Sequence, residues 1–385
     1  MSLKTFSMPT NLIFDRRSID YLRKLTGNRA VIVTGGSSMK RTGYLDYAQE
    51  LLTEAGITTK VVDGVEADPS TETVTDGAKS ITEFKPDWII ALGGGSSIDA
   101  AKIMWTLYEH PQLTFSDISK GVNKIPPLRN KAKLIAIPST SGTASEVTAI
   151  SVITDQNKKI KRPVVSAEII PDIAIIDPEI PAHMPPTVTA DTGMDVMSHA
   201  LEAYVSTAST DYTDSLAAKA VEFVFEYLPK AYQQGDDLEA RTKMHNASTM
   251  AGMAFNNARL GLVHSLAHEI GAKFGVSHGR ANAIFLPYVV KYNQKCTDKY
   301  DQLQKLIEPK SDLANELANL NKKLDIPTTL SKLNELDQQK FDELLEEMST
   351  KAYKSPTTMP NPRTPQPEEI TQLLQAAYQG KQVDF

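Results

Sequence analysis

Cysteine is almost missing from this chain: Cys296 stands alone among 385 residues. No intramolecular disulfide can form, as expected of a protein that works in a reducing cytoplasm. Within Gln294-Lys295-Cys296-Thr297-Asp298 the thiol reads as a buried or spectator group rather than a nucleophile. Excess positive charge is missing too. The 41 Lys and Arg are outnumbered by 47 Asp and Glu, leaving a net charge of -6. Nucleic acid and anionic membrane surfaces both demand a basic face, so neither is expected as a partner. No apolar run approaches the roughly 18 residues of a spanning helix. Met1-Ser2-Leu3-Lys4-Thr5-Phe6 shows no apolar core of a secretion signal. The expectation is a cytoplasmic protein outside the membrane. There is no repeat of fixed period and no low-complexity tail.

What is present suits a large packed core. Hydrophobic residues make up 41% and charged residues 23% of the chain, and the length exceeds what one ordinary core supports, so two domains are expected. In the first half, apolar runs alternate with helical patterns. Ala30-Val31-Ile32-Val33-Thr34, Thr59-Lys60-Val61-Val62-Asp63, Trp88-Ile89-Ile90-Ala91-Leu92, Lys133-Leu134-Ile135-Ala136-Ile137-Pro138 and Ile173-Ala174-Ile175-Ile176-Asp177 read as strands. Helices are expected around 44–55 and ending at 80–84. Continuous apolar strands separated by helices point to a parallel sheet covered on both faces. From about Thr187 the pattern turns helical, with 215–231, 239–258, 313–324, 341–352 and 367–377 as examples. Proline cannot sit inside a regular helix without loss of a hydrogen bond, so the Pro-rich stretch 177–186 marks the boundary. The fold expected is an α/β, Rossmann-like domain over 1–183 and an all-α domain over 184–385. The segment 355–367, with five prolines, reads as an ordered loop or extended connection.

Two polar loops follow strands in the first half. Gly93-Gly94-Gly95-Ser96-Ser97-Ile98-Asp99-Ala100-Ala101-Lys102 leaves an apolar strand and opens a helix. Glycines let backbone approach a ligand and adopt positive φ, and amides at a helix N-terminus attract anions. A bound pyrophosphate is one reading and a tight capped turn is the other. Pro138-Ser139-Thr140-Ser141-Gly142-Thr143-Ala144-Ser145-Glu146-Val147-Thr148 is crowded with hydroxyls that suit sugar and phosphate oxygens, though such stretches also serve as capping turns.

In the second half the histidines fall into a pattern. Asp195 and His199 stand four apart, on one helical face. His264 and His268 repeat that spacing on a second helix, and His278 lies at a turn before another apolar helix. Three imidazoles and a carboxylate suit Fe2+, Zn2+ or another first-row divalent ion. Several such groups buried together without a partner would be costly. The small neighbours Gly193, Ala200, Gly261, Ala267 and Gly271 would let helices close around a buried site. His110, His183 and His245 read as surface or loop residues.

These motifs, with Thr192-Gly193-Met194-Asp195-Val196-Met197-Ser198-His199-Ala200-Leu201-Glu202-Ala203-Tyr204, 251–258 and 261–271, resemble the iron-containing (group III) alcohol dehydrogenase family over nearly the whole chain. The resemblance implies that Asp195, His199, His264 and His278 hold the metal, and that the active site lies in the cleft between an α/β and a helical domain. It implies oxidation of small alcohols and diols and reduction of aldehydes with NAD(H) or NADP(H), in a homodimer or larger homo-oligomer. By the same matching, Gly94, Gly95, Ser96 and Asp99 meet the pyrophosphate and ribose, while Thr140, Ser141, Ser145 and Thr148 line the cofactor cleft. Asp68 belongs to the loop beside the adenosine and Lys161 reaches the nicotinamide ribose; a plain turn and a surface charge are their alternatives. Where many NAD-using members carry an Asp after the first strand, this chain has Gly35-Gly36-Ser37-Ser38 with Lys40 and Arg41 beyond. A 2′-phosphate is accepted there and not repelled, so NADP(H) is expected over NAD(H). His268 either orients substrate and relays a proton or only hydrogen-bonds. Ile150 and Phe255 face an apolar substrate pocket or merely pack the core. A glycerol or polyol dehydrogenase, and a non-redox metal protein on the same scaffold, are the rival readings.

Overall fold

A computed structural model describes residues 4–156, 160–307 and 312–385. By its contacts the chain divides into two units, Met1–His183 and Met184–Phe385.

The first unit is built on strands buried from both sides. Its sheet uses β1 (Asn11–Phe14), β2 (Arg29–Gly35), β3 (Thr58–Val65), β4 (Trp88–Gly93), β5 (Lys133–Pro138) and β8 (Ile173–Ile176), in the order β1-β8-β5-β4-β2-β3. Every pairing in it is parallel. Successive side chains point to opposite faces, and each face has its own core. Val31, Val33, Ile89, Ala91, Leu134 and Ala136 pack beneath α3 (Thr71–Phe84) and α4 (Gly95–Glu109). Ala30, Ile32, Ile90, Leu92, Ile135 and Ile137 pack on the other side, against α2 (Tyr44–Glu54) and the turn of Ile19 and Leu22. The short helices α1 (Ser38–Arg41) and α5 (Phe115–Ile118) complete this part. The five apolar runs read from the sequence are all strands of this sheet. Three strands are additions. β1, as short as β8, has both ends exposed and lacks the fully buried apolar run that marks β8. β6 (Ile150–Asp155) and β7 (Ile160–Val165) form an antiparallel pair outside the main sheet, and Lys161, Arg162 and Pro163 disguise β7 as a loop.

The second unit is helical: α6 (Pro186–Val205), α7 (Asp211–Gln233), α8 (Leu238–Ala258), α9 (Leu262–Phe274), α10 (His278–Asn293), α11 (Lys299–Ile307), α12 (Leu313–Lys323), α13 (Gln338–Lys354) and α14 (Pro367–Gln379). Local signals set several ends. Pro186 opens α6, where its missing N–H costs nothing. Asp237 caps α8 by accepting from Ala240 N. Gly275, with φ of 73°, closes α9. Helix α6 packs against α7, α8 and α10 and is buried almost all round from Gly193 to Val205, its polar residues Asp195, Ser198, His199 and Glu202 included.

Three expectations are corrected here. His245 is no surface residue: it is buried in α8, 1% exposed. Cys296 is exposed, not buried. His278 is the first residue of α10 and not part of the preceding turn. The first three of the residues 1–6 read for a secretion signal lie outside the described residues.

Candidate active site

In the first unit the strand order reverses between β2 and β4: the chain passes outward from β2 to β3, then returns to add β4 and β5 on the other side. Open parallel sheets take ligands at the C-terminal ends of strands flanking such a reversal. Gly35 ends β2 and Gly93 ends β4. A Cβ on Gly35 would fall 2.6 Å from Val65 O and 2.8 Å from Ser97 Oγ; on Gly93 it would fall 2.5 Å from the same hydroxyl. The two glycines and the buried Ser97 thus keep these strand ends close. Gly93 has φ of 159°, whereas Gly94 is an ordinary extended N-cap of α4 with φ of -74°. Positive φ therefore belongs to the first glycine of the three. Gly95 is required by packing instead, since a Cβ there would lie 2.7 Å from Thr143 Oγ1. Ser96 follows in the first turn of α4, partly exposed. The amides opening this 15-residue helix form a natural anion site.

The other expected cofactor residues divide into two groups. Thr140 flanks the loop: a Cβ on Gly94 would lie 3.5 Å from its Cγ2. Gly36, with φ of 52°, and Ser37 are exposed beyond β2, next to Ser38, Lys40 and Arg41. By contrast, Ser141, Ser145 and Thr148 are buried, each 3% exposed or less. Asp99 is engaged within the protein, accepting from Ser145 Oγ at 2.5 Å and from Val152 N at 2.8 Å. Burial raises the Asp99 pKa against the opposing charge of Lys102 and these hydrogen bonds. Lys102, fully buried, donates to the carbonyls of Thr148 at 2.8 Å and Ile150 at 2.7 Å. Its pKa is pushed down to about 8 by burial, against Asp99 and Glu146. Asp99 and Lys102 thus tie segment 145–152 to α4. Lys161 and Asp68 form an exposed ion pair at 2.6 Å. Ile150 begins β6, half-buried.

In the second unit the four expected ligands converge. Asp195 and His199 stand one turn apart on α6, His264 on α9 and His278 at the start of α10. One donor atom from each lies within 4.8 Å of all the others. Asp195 Oδ1 stands 3.6 Å from His199 Nε2, 3.7 Å from His264 Nε2 and 3.6 Å from His278 Nε2. Four donors around an ion with bonds of about 2.1 Å are separated by roughly 3.4 Å, so the cluster needs little adjustment to hold one. The donor types suit a first-row divalent metal, and the residues fit the group. Burial raises the Asp195 pKa, but the imidazoles of His199, His278 and His264, with Asn282, outweigh it and hold the carboxyl below its usual range. Burial, reinforced by His199 and His278, keeps His264 well below the ordinary histidine value.

A second layer of side chains sets these ligands. Glu202, buried on α6, lies 2.5 Å from His264 Nδ1 and accepts from Val263 N at 2.6 Å. With the imidazole neutral, its Nδ1–H donates to Glu202 and its Nε2 lone pair faces the cluster, 3.2 Å from Asn282 Nδ2. A Cβ on Gly261 would lie 2.9 Å from Glu202 Oε1, which explains that glycine. Asp191 accepts from Ser277 Oγ at 2.7 Å and from Arg280 Nε at 3.0 Å, fixing the start of α10 and so His278. Asn282 Nδ2 stands 2.7 Å from Asp195 Oδ1. Phe255 packs its ring on that of His199, centroids 4.4 Å apart. His268 is exposed and stacks on His278 at 5.3 Å. Sequence reasoning missed Glu202, Asn282, Lys102 and Asp191. The signal was present for two of them: Glu202 is three residues past His199 and Asn282 four past His278, so each shares a helical face with a ligand.

Comparison with known proteins gives one result throughout. Residues 9–178 match the family described as "Iron-containing alcohol dehydrogenase", and residues 189–378 match "Fe-containing alcohol dehydrogenase family, C-terminal". The chain is 48% identical over 389 residues to an NADPH-dependent butanol dehydrogenase of Clostridium saccharobutylicum, covering 99% of both. It is 39% identical to an alcohol dehydrogenase of Thermococcus barophilus, over 98% of this chain and 100% of that one. The solved structure of an iron-containing alcohol dehydrogenase from Thermococcus thioreducens superposes with a TM-score of 0.91 at 37% identity, over 98% of this chain and 100% of that one.

Proposed function

The chain belongs to the iron-containing alcohol dehydrogenase family, and on that premise we propose that it is an NADPH-linked reductase of small aliphatic aldehydes, and dehydrogenase of the corresponding alcohols, that uses Fe2+. Zn2+ fits the same four donors. The convergence of Asp195, His199, His264 and His278 carries this reading.

When bound, a divalent ion supplies Lewis acidity to the alcohol or carbonyl oxygen, and the nicotinamide gives or takes the hydride. The protein's own part is positioning. Glu202 fixes the His264 ring and its tautomer. Phe255, against His199, lends an apolar surface that favours an aliphatic substrate over a polyol; Ile150 is proposed as a second apolar contact. His268, exposed and stacked on His278, carries the proton between the reacting oxygen and solvent. The amides of Gly94, Gly95 and Ser96 receive the pyrophosphate at the α4 N-terminus. Asp99, Ser145 and Thr148 support that loop from behind, with Ser141 buried among them, and Thr140 flanks it.

Coenzyme choice rests on residues 34–45, which contain no carboxylate. Ser37, Ser38, Lys40 and Arg41 are exposed there, and guanidinium or ammonium groups suit a 2′-phosphate. The butanol dehydrogenase that is 48% identical is itself described as NADPH-dependent. The family resemblance adds a homodimer or larger assembly, which the mass in solution checks. Among the described residues no helix is long and apolar enough to cross a membrane.

The deciding experiment measures the metal content of the purified chain and its NADPH-dependent reduction of butyraldehyde. Both are followed through chelation and restoration with iron or zinc. About one ion per chain and activity that returns with the metal support the reading; activity indifferent to chelation of a demonstrably metal-free protein sinks it.

A further inference from the structure

We propose that Asn282 is a positioning residue of the metal centre, whose amide N–H fixes the ligand oxygen of Asp195 against the imidazoles of His264 and His278. Asn282 is fully buried in α10, one turn beyond His278. Its Nδ2 lies 2.7 Å from Asp195 Oδ1, 3.2 Å from His264 Nε2 and 3.1 Å from His278 Nε2. One side chain thereby reaches ligands carried on α6, α9 and α10.

The chemistry of the amide defines its task. An N–H group donates and cannot itself bind a cation, so Asn282 acts through the carboxylate. A carboxylate has two oxygens and a soft terminal torsion, and nothing in the three imidazoles selects which oxygen points inward. A donor 2.7 Å from Oδ1 makes that selection and holds it.

The two halves of the amide differ: Nδ2 is engaged at the cluster, and Oδ1 is not. Asn282 Oδ1 is buried with no hydrogen-bond partner among the described residues. A leucine of similar volume would remove that orphan, and would also take the donor from Asp195 Oδ1, so the two can be told apart by metal affinity and spectrum.

The inference rests on the metal centre proposed above, and one experiment separates the two. Co2+ is titrated into the metal-stripped full-length chain, giving a dissociation constant and a ligand-field spectrum, and thermal unfolding of the metal-free protein is recorded beside it. Asn282→Leu is expected to weaken Co2+ binding roughly 10- to 100-fold and to alter the spectrum, with the metal-free midpoint read beside it to separate lost folding from lost affinity. An unchanged dissociation constant and spectrum overturn the proposal. If Asn282→Leu lowers the metal-free midpoint, Asn282→Ala decides. A loss of about tenfold or more with an altered spectrum supports the role, and wild-type affinity overturns it. A wild-type chain that binds no Co2+ overturns the metal centre and this inference together.

Discussion

Lys161 Nζ and Asp68 Oδ1 lie 2.6 Å apart on the surface of the first unit, joining β7 to the left-handed turn at Asp68, where φ is 59°. The two residues were expected at different ends of a dinucleotide, one by the adenosine and one by the nicotinamide ribose. Side by side they cannot serve both ends unless the pair opens. Their side chains are 57% and 62% exposed, and exposed pairs are worth only about 0–1 kcal/mol, so opening is cheap. Asp68→Asn frees the ammonium for the anionic cofactor and is expected to lower the KM for NADPH by roughly two- to fivefold. Lys161→Met is expected to raise it, with thermal midpoints unchanged in both. A KM for NADPH indifferent to both changes removes this pair from the cofactor site.

The cofactor site proposed for the first unit and the metal site proposed for the second predict separable defects. Gly95→Ala places a methyl 2.7 Å from Thr143 Oγ1, at the mouth of α4. The loop must shift, which costs about 1–3 kcal/mol of cofactor binding or local stability. The expected result is a raised KM for NADPH with one metal still bound per chain. Gly261→Ala is the counterpart in the second unit: its methyl meets Glu202, 2.9 Å away, and displaces the carboxylate that orients His264. There metal content is expected to fall while NADPH binding, followed by fluorescence, survives. The reverse pattern in either variant would contradict the division of labour.

The histidines of α9 are expected to part company in the same way. His264 is buried and hydrogen-bonded to Glu202, whereas His268, one turn later, is exposed. His264→Ala is expected to abolish both metal binding and turnover. His268→Ala is expected to keep the metal and slow kcat by about 10²–10⁴, the usual worth of a proton-transfer group. Loss of metal from His268→Ala, read by elemental analysis, would show that the ligand set is wrongly drawn.

Much of this was legible in the chain because burial leaves a pattern. Strands covered on both faces must be apolar at every position, so β2, β4, β5 and β8 announce themselves. The pair β6 and β7 lies outside that sheet, and the charges of Lys161 and Arg162 hide it. Among the ligands, the four-residue spacing of Asp195 and His199 survives in one dimension because both sit on one helix. Convergence with His264 and His278 needs three helices. The partners behind them, Glu202 and Asn282, share a helical face with His199 and His278, but their contacts with His264 and Asp195 form only when α9 and α10 close on α6. His245 escaped for the opposite reason: α8 has polar residues around it in sequence, and only packing shows that this one is inside.

His245 also sets an acid limit on the second unit. It is 1% exposed, and burial pushes its pKa down to about 3 from the model-peptide 6.5. Between pH 6.5 and 3 the unfolded chain binds a proton here that the folded chain refuses, so stability falls as pH falls through that window. One such proton is worth about 1.4 kcal/mol per pH unit, or about 2 kcal/mol between pH 6.5 and 5. Above pH 6.5 the histidine is neutral in both states and contributes no slope. His245→Gln is expected to lower stability at pH 7.5, where a fitted buried ring is lost, yet to flatten the acid slope by up to one proton. Urea unfolding of the metal-stripped wild type and variant at pH 7.5, 6 and 5 measures this, since the two chains differ only at residue 245. Parallel acid slopes in the two proteins would mean that His245 takes up its proton without unfolding the helices around it.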